Sequence, residues 1–233
     1  MSFTTSILTY NIHHGANSQD IPDIKRTGEV IKYSGALLVA LQEVDFLMPR
    51  SFFSPQARRL GKMLGMHYLF GANVKWPGGC RYGNAILSRY PVTGQNIPLS
   101  GQGEKRGLLK TLLCPPGRHS KFYFLCTHLG LSSADRMEQV KEILRIANTL
   151  TKPYILAGDF NAGKDSAEFL PLQGEMQNTG DLITDRYVTF PSYRPGYGLD
   201  YIFASPHWRV KSCRILDSDA SDHLPVLAEL ELP

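Results

Sequence analysis

Tyr154-Ile155-Leu156-Ala157-Gly158-Asp159-Phe160-Asn161 carries an apolar run straight into a carboxylate and a carboxamide two positions apart. Strand side chains alternate between faces, so Asp159 and Asn161 project to the same side of one strand end and can reach one substrate. Ile7-Leu8-Thr9-Tyr10-Asn11, Leu41-Gln42-Glu43 and Ser221-Asp222-His223 likewise end on metal-binding or proton-handling groups. A magnesium phosphohydrolase would need such groups brought together.

The donor types narrow the chemistry. Oxygen-only ligands such as Asn11, Glu43 and Asp222 suit a hard divalent cation, Mg2+ or in its place Mn2+, whereas zinc calls for more His or Cys. His223 can take a proton from water near neutral pH once a carboxylate orients it, and Asp200 in Gly198-Leu199-Asp200-Tyr201-Ile202-Phe203 is the candidate. Taken singly, each residue has a plainer reading. Asn11 and Asp200 suit strand-end turns, Glu43 an exposed strand end, Asp222 a turn cap, His128 the core, and Arg106 a surface ion pair. Their joint, ordered occurrence favours the chemistry.

These residues resemble the endonuclease/exonuclease/phosphatase superfamily, in particular its compact bacterial members, and the matching segments run in that superfamily's order from Asn11 to His223. The resemblance implies a four-layer α/β/β/α sandwich of two mixed β-sheets, with the site at one end. It implies Glu43 as principal metal ligand with Asn11 and Asp222, and Asp159 and Asn161 as the pair positioning water and a phosphate oxygen. Asp200 is then the partner of the catalytic His223. His128 in Thr127-His128-Leu129 matches a second active-site histidine that contacts phosphate, with a role as acid. Arg106 resembles a phosphate-contacting arginine, and Asn84 in Tyr82-Gly83-Asn84-Ala85-Ile86 a pocket residue. Abasic-site endonucleases carry an acidic residue two positions after the metal-site Asn; here His13 stands there. His13 and His14 are read as substrate-pocket or supporting residues, because the carboxylates already supply a magnesium site.

At 233 residues, 42% hydrophobic and 20% charged, the chain can bury a large core as one α/β catalytic domain spanning 1–233. No basic and apolar leader opens it, no run is long enough to span a bilayer, and Cys80, Cys114, Cys126 and Cys213 lie far apart. The expectation is a cytoplasmic monomer with reduced thiols. A net charge of +4 and a pI near 8.8 permit an anionic phosphate-ester substrate, nucleic acid among the candidates, without a dense basic face. Arg58-Arg59-Leu60-Gly61-Lys62 reads as a solvated helix face.

Helices are expected at about 22–34, 54–64 and 133–150, the last with Met137, Val140, Ile143, Leu144, Ala147 and Leu150 at helical spacing. Strands are expected at 4–11, 36–43, 82–88, 106–113, 121–127, 153–159, 199–204, 208–216 and 224–231, with connections at 76–79, 114–119 and 191–198. Such strand-rich alternation suits two mixed sheets packed face to face with helices outside. Gly158 to Asp165 nearly completes a P-loop but ends in Asp165, which lacks the required hydroxyl; Gly101 to Gly107 is mis-spaced for a dinucleotide turn and presents Arg106 instead. Phe46-Leu47-Met48-Pro49 and Arg50-Ser51-Phe52-Phe53 read as core or pocket wall ahead of an interfacial loop. The resulting expectation is a metal-dependent phosphate-ester hydrolase, with a diester preferred. The alternatives are a nuclease, a lipid or inositol phosphate esterase, and a binding module that kept the fold alone.

Overall fold

The computed structural model describes residues 2–116 and 121–233, so part of the connection at 114–119 lies outside the described residues. The elements in order are β1 (Phe3–Asn11), α1 (Ile24–Ser34), β2 (Leu38–Phe46), α2 (Gln56–Leu64), β3 (His67–Lys75), β4 (Arg81–Ser88), β5 (Gly94–Leu99) and β6 (Arg106–Leu113). They continue with β7 (Phe122–His128), α3 (Ser133–Asn148), β8 (Tyr154–Asp159), α4 (Phe169–Glu175), β9 (Gln177–Asn178), β10 (Asp200–Ala204), β11 (Arg209–Ile215) and β12 (Val226–Leu232).

Two six-stranded sheets form, in the orders β11-β12-β1-β2-β4-β3 and β5-β6-β7-β8-β10-β9. Each holds one parallel pair, β1 with β2 and β7 with β8, among antiparallel neighbours. The period-two alternation of the strands sets the layers. Ile7, Ala40, Phe124, Cys126, Ile155 and Ala157 fill the space between the sheets. Their neighbours turn outward: Leu8, Val39 and Leu41 meet Ile31 of α1 and Leu60 of α2, while Leu125 and Leu156 meet Ile143 of α3 and Phe169 of α4. The result is the expected α/β/β/α sandwich.

Local chemistry fixes the helix ends. Asp23 accepts from the Lys25 and Arg26 amides at 3.1 and 3.2 Å, so α1 starts at Ile24 and not at 22, and Gly35 closes it in the left-handed region at φ 69°. Ser132 caps α3 by accepting from the Asp135 amide at 3.1 Å. Strand β2 continues past Glu43 to Phe46 through a register shift between Leu41 and Val44, where Glu43 has φ 59°.

Elements absent from the sequence expectation have physical reasons to escape it. β3 lies at a sheet edge with mostly part-exposed residues, so it lacks apolar alternation. β5 is the opposite edge and contains Pro98, which edge strands tolerate. α4 carries Pro171 and Gly174 inside seven residues. Phe52 and Phe53, expected in the core or a pocket wall, are exposed at 78% and 61%. Arg58, Arg59 and Lys62 are solvated as expected. Cys80, Cys114, Cys126 and Cys213 are all free thiols. Among the described residues, no helix is long and apolar enough to cross a membrane.

Candidate active site

Strand register delivers the site. Parallel pairing puts His128 of β7 beside Asp159 of β8, and antiparallel pairing puts Asp200 of β10 on the other side of Asp159. Asn11 ends β1 and Glu43 sits at the β2 irregularity on the facing sheet. The Asn11 amide nitrogen joins the two sheets, donating to Glu43 Oε1 at 3.1 Å and Asp159 Oδ2 at 3.0 Å. Its oxygen accepts from the His13 amide at 3.1 Å. The structure therefore turns the nitrogen of Asn11 to the carboxylates, where the resemblance implies an oxygen ligand. In this geometry Asn11 orients the Glu43 and Asp159 carboxylates.

His223 and Asp200 form the expected pair, with His223 Nδ1 donating to Asp200 Oδ2 at 2.8 Å and His223 Nε2 lying 3.7 Å from Asp159 Oδ2. Asp200 is fully buried, its amide held by the Thr189 hydroxyl at 3.3 Å, and Phe190 packs on the imidazole with ring centroids 4.7 Å apart. Burial works against the His223 cation, yet the Asp200 and Asp159 carboxylates outweigh it and push the imidazole up to about 10. Burial, then the Asp200 charge, pushes Asp159 up to about 7. Burial also works upward on Glu43, but the surrounding imidazoles and the Asn11 hydrogen bond carry it below the usual carboxylate range. It stands ionised for a cation.

His128 is set differently. Arg106 Nη1 lies 3.1 Å from its Nδ1, and a guanidinium can only donate, so Nδ1 accepts and the proton sits on Nε2, 3.6 Å from Asp159 Oδ2. Burial, then the Arg106 charge, drives this imidazole down to about 3. In this geometry His128 is a neutral Nε2–H donor. Arg106 is 7% exposed and is held by Glu104 Oε1 at 2.8 Å, while its Nε has no partner among the described residues. Asn84 donates to the Gly107 carbonyl at 3.0 Å, and its buried Oδ1 also has no partner among the described residues. Such buried, unpaired atoms call for a partner from outside the chain, a water or a ligand.

Asn161, at φ 50°, donates to the Leu129 carbonyl at 2.9 Å, and its amide binds Asp159 Oδ1 at 2.9 Å. Asp222 is part-exposed, and Ser221 beside it donates to the Asn11 carbonyl at 2.7 Å. Ser221 thereby ties the Asp222–His223 loop to β1. Sequence reasoning missed that role, and it missed Tyr82, whose buried hydroxyl bonds Glu43. The signal for Tyr82 was present: it lies two positions before Asn84 on β4 and so shares its face. A cavity of about 510 Å³ lined by Lys164, Asp181, Arg186 and Tyr197 contains none of these groups.

Asn11, Glu43, His128, Asp159, Asn161, Asp200, Asp222 and His223 thus gather at one end of the sandwich with Arg106, and Asn84 reaches the Gly107 carbonyl beside Arg106. Among the described residues, one donor each of Asp159, Asp200 and His223 lies within 4.8 Å of the others. The sequence pattern over residues 8–223 matches the endonuclease/exonuclease/phosphatase family. The chain belongs to the endonuclease/exonuclease/phosphatase family. Protein YbhP of Escherichia coli (strain K12) is 30% identical over 99% of this chain and 97% of its own length. A family protein from Bacteroides vulgatus superposes with a TM-score of 0.83 at 21% identity, covering 99% of this chain and 100% of that one. A mannosyl-6-phosphatase from Bacteroides thetaiotaomicron does so with a TM-score of 0.78 at 19% identity, covering 97% of this chain and 99% of that one. As a family member the protein is a phosphate-ester hydrolase, and the family's enzymes depend on divalent metals.

Proposed function

We propose that this hydrolase cleaves phosphodiesters with Mg2+, for which Mn2+ substitutes, and that 1–233 acts as one catalytic domain. The observation that carries the reading is the Asn11 amide bridging Glu43 to Asp159, beside the Asp200–His223 pair. Cation-binding and proton-handling groups then share one substrate. The donor set fits a hard ion: carboxylate oxygens, no thiolate, and Glu43 ionised and part-exposed. Glu43 and Asp222 would hold it, with Asn11 and Tyr82 fixing the Glu43 carboxylate. The ion, when bound, supplies charge stabilisation to the phosphoryl oxygens and the leaving group.

The chain's own groups do the rest. Asp159, on the strand end facing both His128 and His223, orients the attacking water, and Asn161 fixes Asp159 through its backbone amide. Asp200 holds His223 so that Nε2 faces the reacting atoms and exchanges a proton there. The His128 Nε2–H and Arg106 donate to the non-bridging oxygens, and Asn84 lines the pocket next to Arg106. A compact diester is preferred over a long polyanion because the +4 net charge is dispersed. In this reading the enzyme works as a monomer in the cytoplasm.

The experiment is a substrate panel with Mg2+ and Mn2+: duplex and single-stranded DNA, RNA, phosphoinositides, sphingomyelin, sugar phosphates and bis-p-nitrophenyl phosphate. Metal-dependent turnover of small diesters above monoesters and nucleic acids is expected. Cleavage confined to nucleic acid or to monoesters replaces the diester assignment.

A further inference from the structure

His13 and His14 follow the active-site strand but take no part in the reaction described above. Both have left-handed backbones, φ 43° and 46°, and Gly15 follows at φ 74°. Adding a Cβ to Gly15 would bring it within 2.7 Å of Gln56 Nε2, the group that donates to the His14 carbonyl and locks this turn to α2. The turn brings the two imidazoles together, centroids 4.3 Å apart and planes tilted by 58°. Asp20, itself at φ 61°, returns to meet them, with Oδ1 2.7 Å from His14 Nε2. One donor each of His13, His14 and Asp20 lies within 4.8 Å of the others.

We propose that His13, His14 and Asp20 form a second cation site, distinct from the Glu43 centre, that takes Zn2+. Two imidazoles and one carboxylate are borderline ligands that favour zinc over magnesium, and three protein ligands leave a fourth position for water or an anionic group. His13 Nδ1 faces the Asn17 carbonyl at 3.2 Å, so it donates there and its Nε2 lone pair is left for the cation. That is the usual outer partner of a metal-ligating histidine. His14 is 93% buried, with 7% of its side chain exposed, and its Nδ1 has no partner among the described residues. His14 Nε2 is the nitrogen turned to the Asp20 carboxylate, and a cation bound there would take the place of the proton that the two now share. Bonds of ~2.0 Å place tetrahedral zinc donors roughly 3.3 Å apart. The His14–Asp20 spacing of 2.7 Å must open to admit the ion, and Asp20, with 73% of its side chain exposed, is free to move. His13 Nδ1 also lies 4.0 Å from Asp222 Oδ1, which sets this site at the edge of the active centre.

The test loads the chelator-stripped, full-length protein with micromolar Zn2+ in a large excess of Mg2+, then measures bound zinc by mass spectrometry and the imidazole nitrogens by NMR. Wild type should retain one zinc, with His13 and His14 nitrogen resonances moved to metal-bound positions. His13→Ala and Asp20→Ala should each weaken zinc at least about tenfold, and Glu43→Gln should retain it. Asp20 is exposed, so its variant tests the site even where a His14 substitution fails to fold. No zinc retained by wild type, unchanged zinc in both His13→Ala and Asp20→Ala, or zinc lost from Glu43→Gln would each overturn the assignment. None of these readouts depends on phosphodiesterase activity.

Discussion

Replacing Asp200 by Asn keeps the size of the side chain and removes the charge that His223 Nδ1 meets at 2.8 Å. In the wild type this imidazole rises from 6.5 to about 10. At ~1.4 kcal/mol per pH unit, that rise is roughly 5 kcal/mol in favour of the imidazolium, and it is reached against the burial of the ring. Asp200 acts both as the nearer charge and as the hydrogen-bond acceptor, while Asp159 stands farther off at 3.7 Å. Loss of Asp200 should therefore lower His223 by about 1–3 pH units, the scale of one close charge partner. The assay follows the His223 ring proton by NMR across pH in the presence of chelator. In the wild type His223 should remain protonated throughout the neutral range and release its proton only in alkaline solution. In Asp200→Asn the midpoint should move toward the ordinary histidine value. A wild-type midpoint at that ordinary value, or an equal midpoint in the two proteins, refutes the electrostatic reasoning.

Turnover should fall at least about 10^2-fold in His223→Ala and in Asp200→Asn, and the double variant should lose less than the product of the two, because the pair acts as one unit. Arg106→Ala should impair every accepted phosphate ester alike, with a shallow dependence on monovalent salt; a steep slope confined to plasmid DNA would point to a phosphate-tracking nuclease instead. Leu156, fully buried between β8 and the α3–α4 layer, should cost about 2–5 kcal/mol on truncation to Ala, measured by urea unfolding. Glu168 is 3% exposed and receives Arg136 Nε at 2.9 Å and Nη2 at 2.8 Å; burial works upward on its carboxyl, but hydrogen bonds and Arg136 hold it below the usual range. A depressed carboxyl stabilises the fold above its unfolded value and loses that contribution as pH falls through the folded one. Glu168→Gln should therefore be less stable than wild type by about 2 kcal/mol at neutral pH, with the gap closing in acid.

The site was legible where a strand ends on a functional group, because alternation and parallel pairing fix both the face and the neighbour. Asp159, Asp200 and His128 come together through register alone. The layers were legible for the same reason, since Ile155 and Leu156 must face opposite sides. Contacts that depend on rotamer and loop conformation were hidden. Nothing in the sequence reveals that the Asn11 nitrogen faces Glu43, or that Arg106 fixes the tautomer of His128. The approach of Asp20 to His14 depends on left-handed residues on both sides of a loop, which side-chain pattern does not encode. Edge strands β3 and β5 escaped because half-exposed residues blur the period. Phe52 and Phe53 misled because apolar character alone does not bury a side chain on a loop.

Hydrolysis of bis-p-nitrophenyl phosphate by wild type and Glu43→Gln, each titrated with Mg2+ from the chelated state, tests the central claim most directly. No turnover is expected in chelator, recovery with Mg2+ in the wild type, and a folded Glu43→Gln protein that needs far more Mg2+ and loses most of its activity. Full turnover in excess chelator, or a Glu43→Gln enzyme with unchanged activity and Mg2+ dependence, would contradict it.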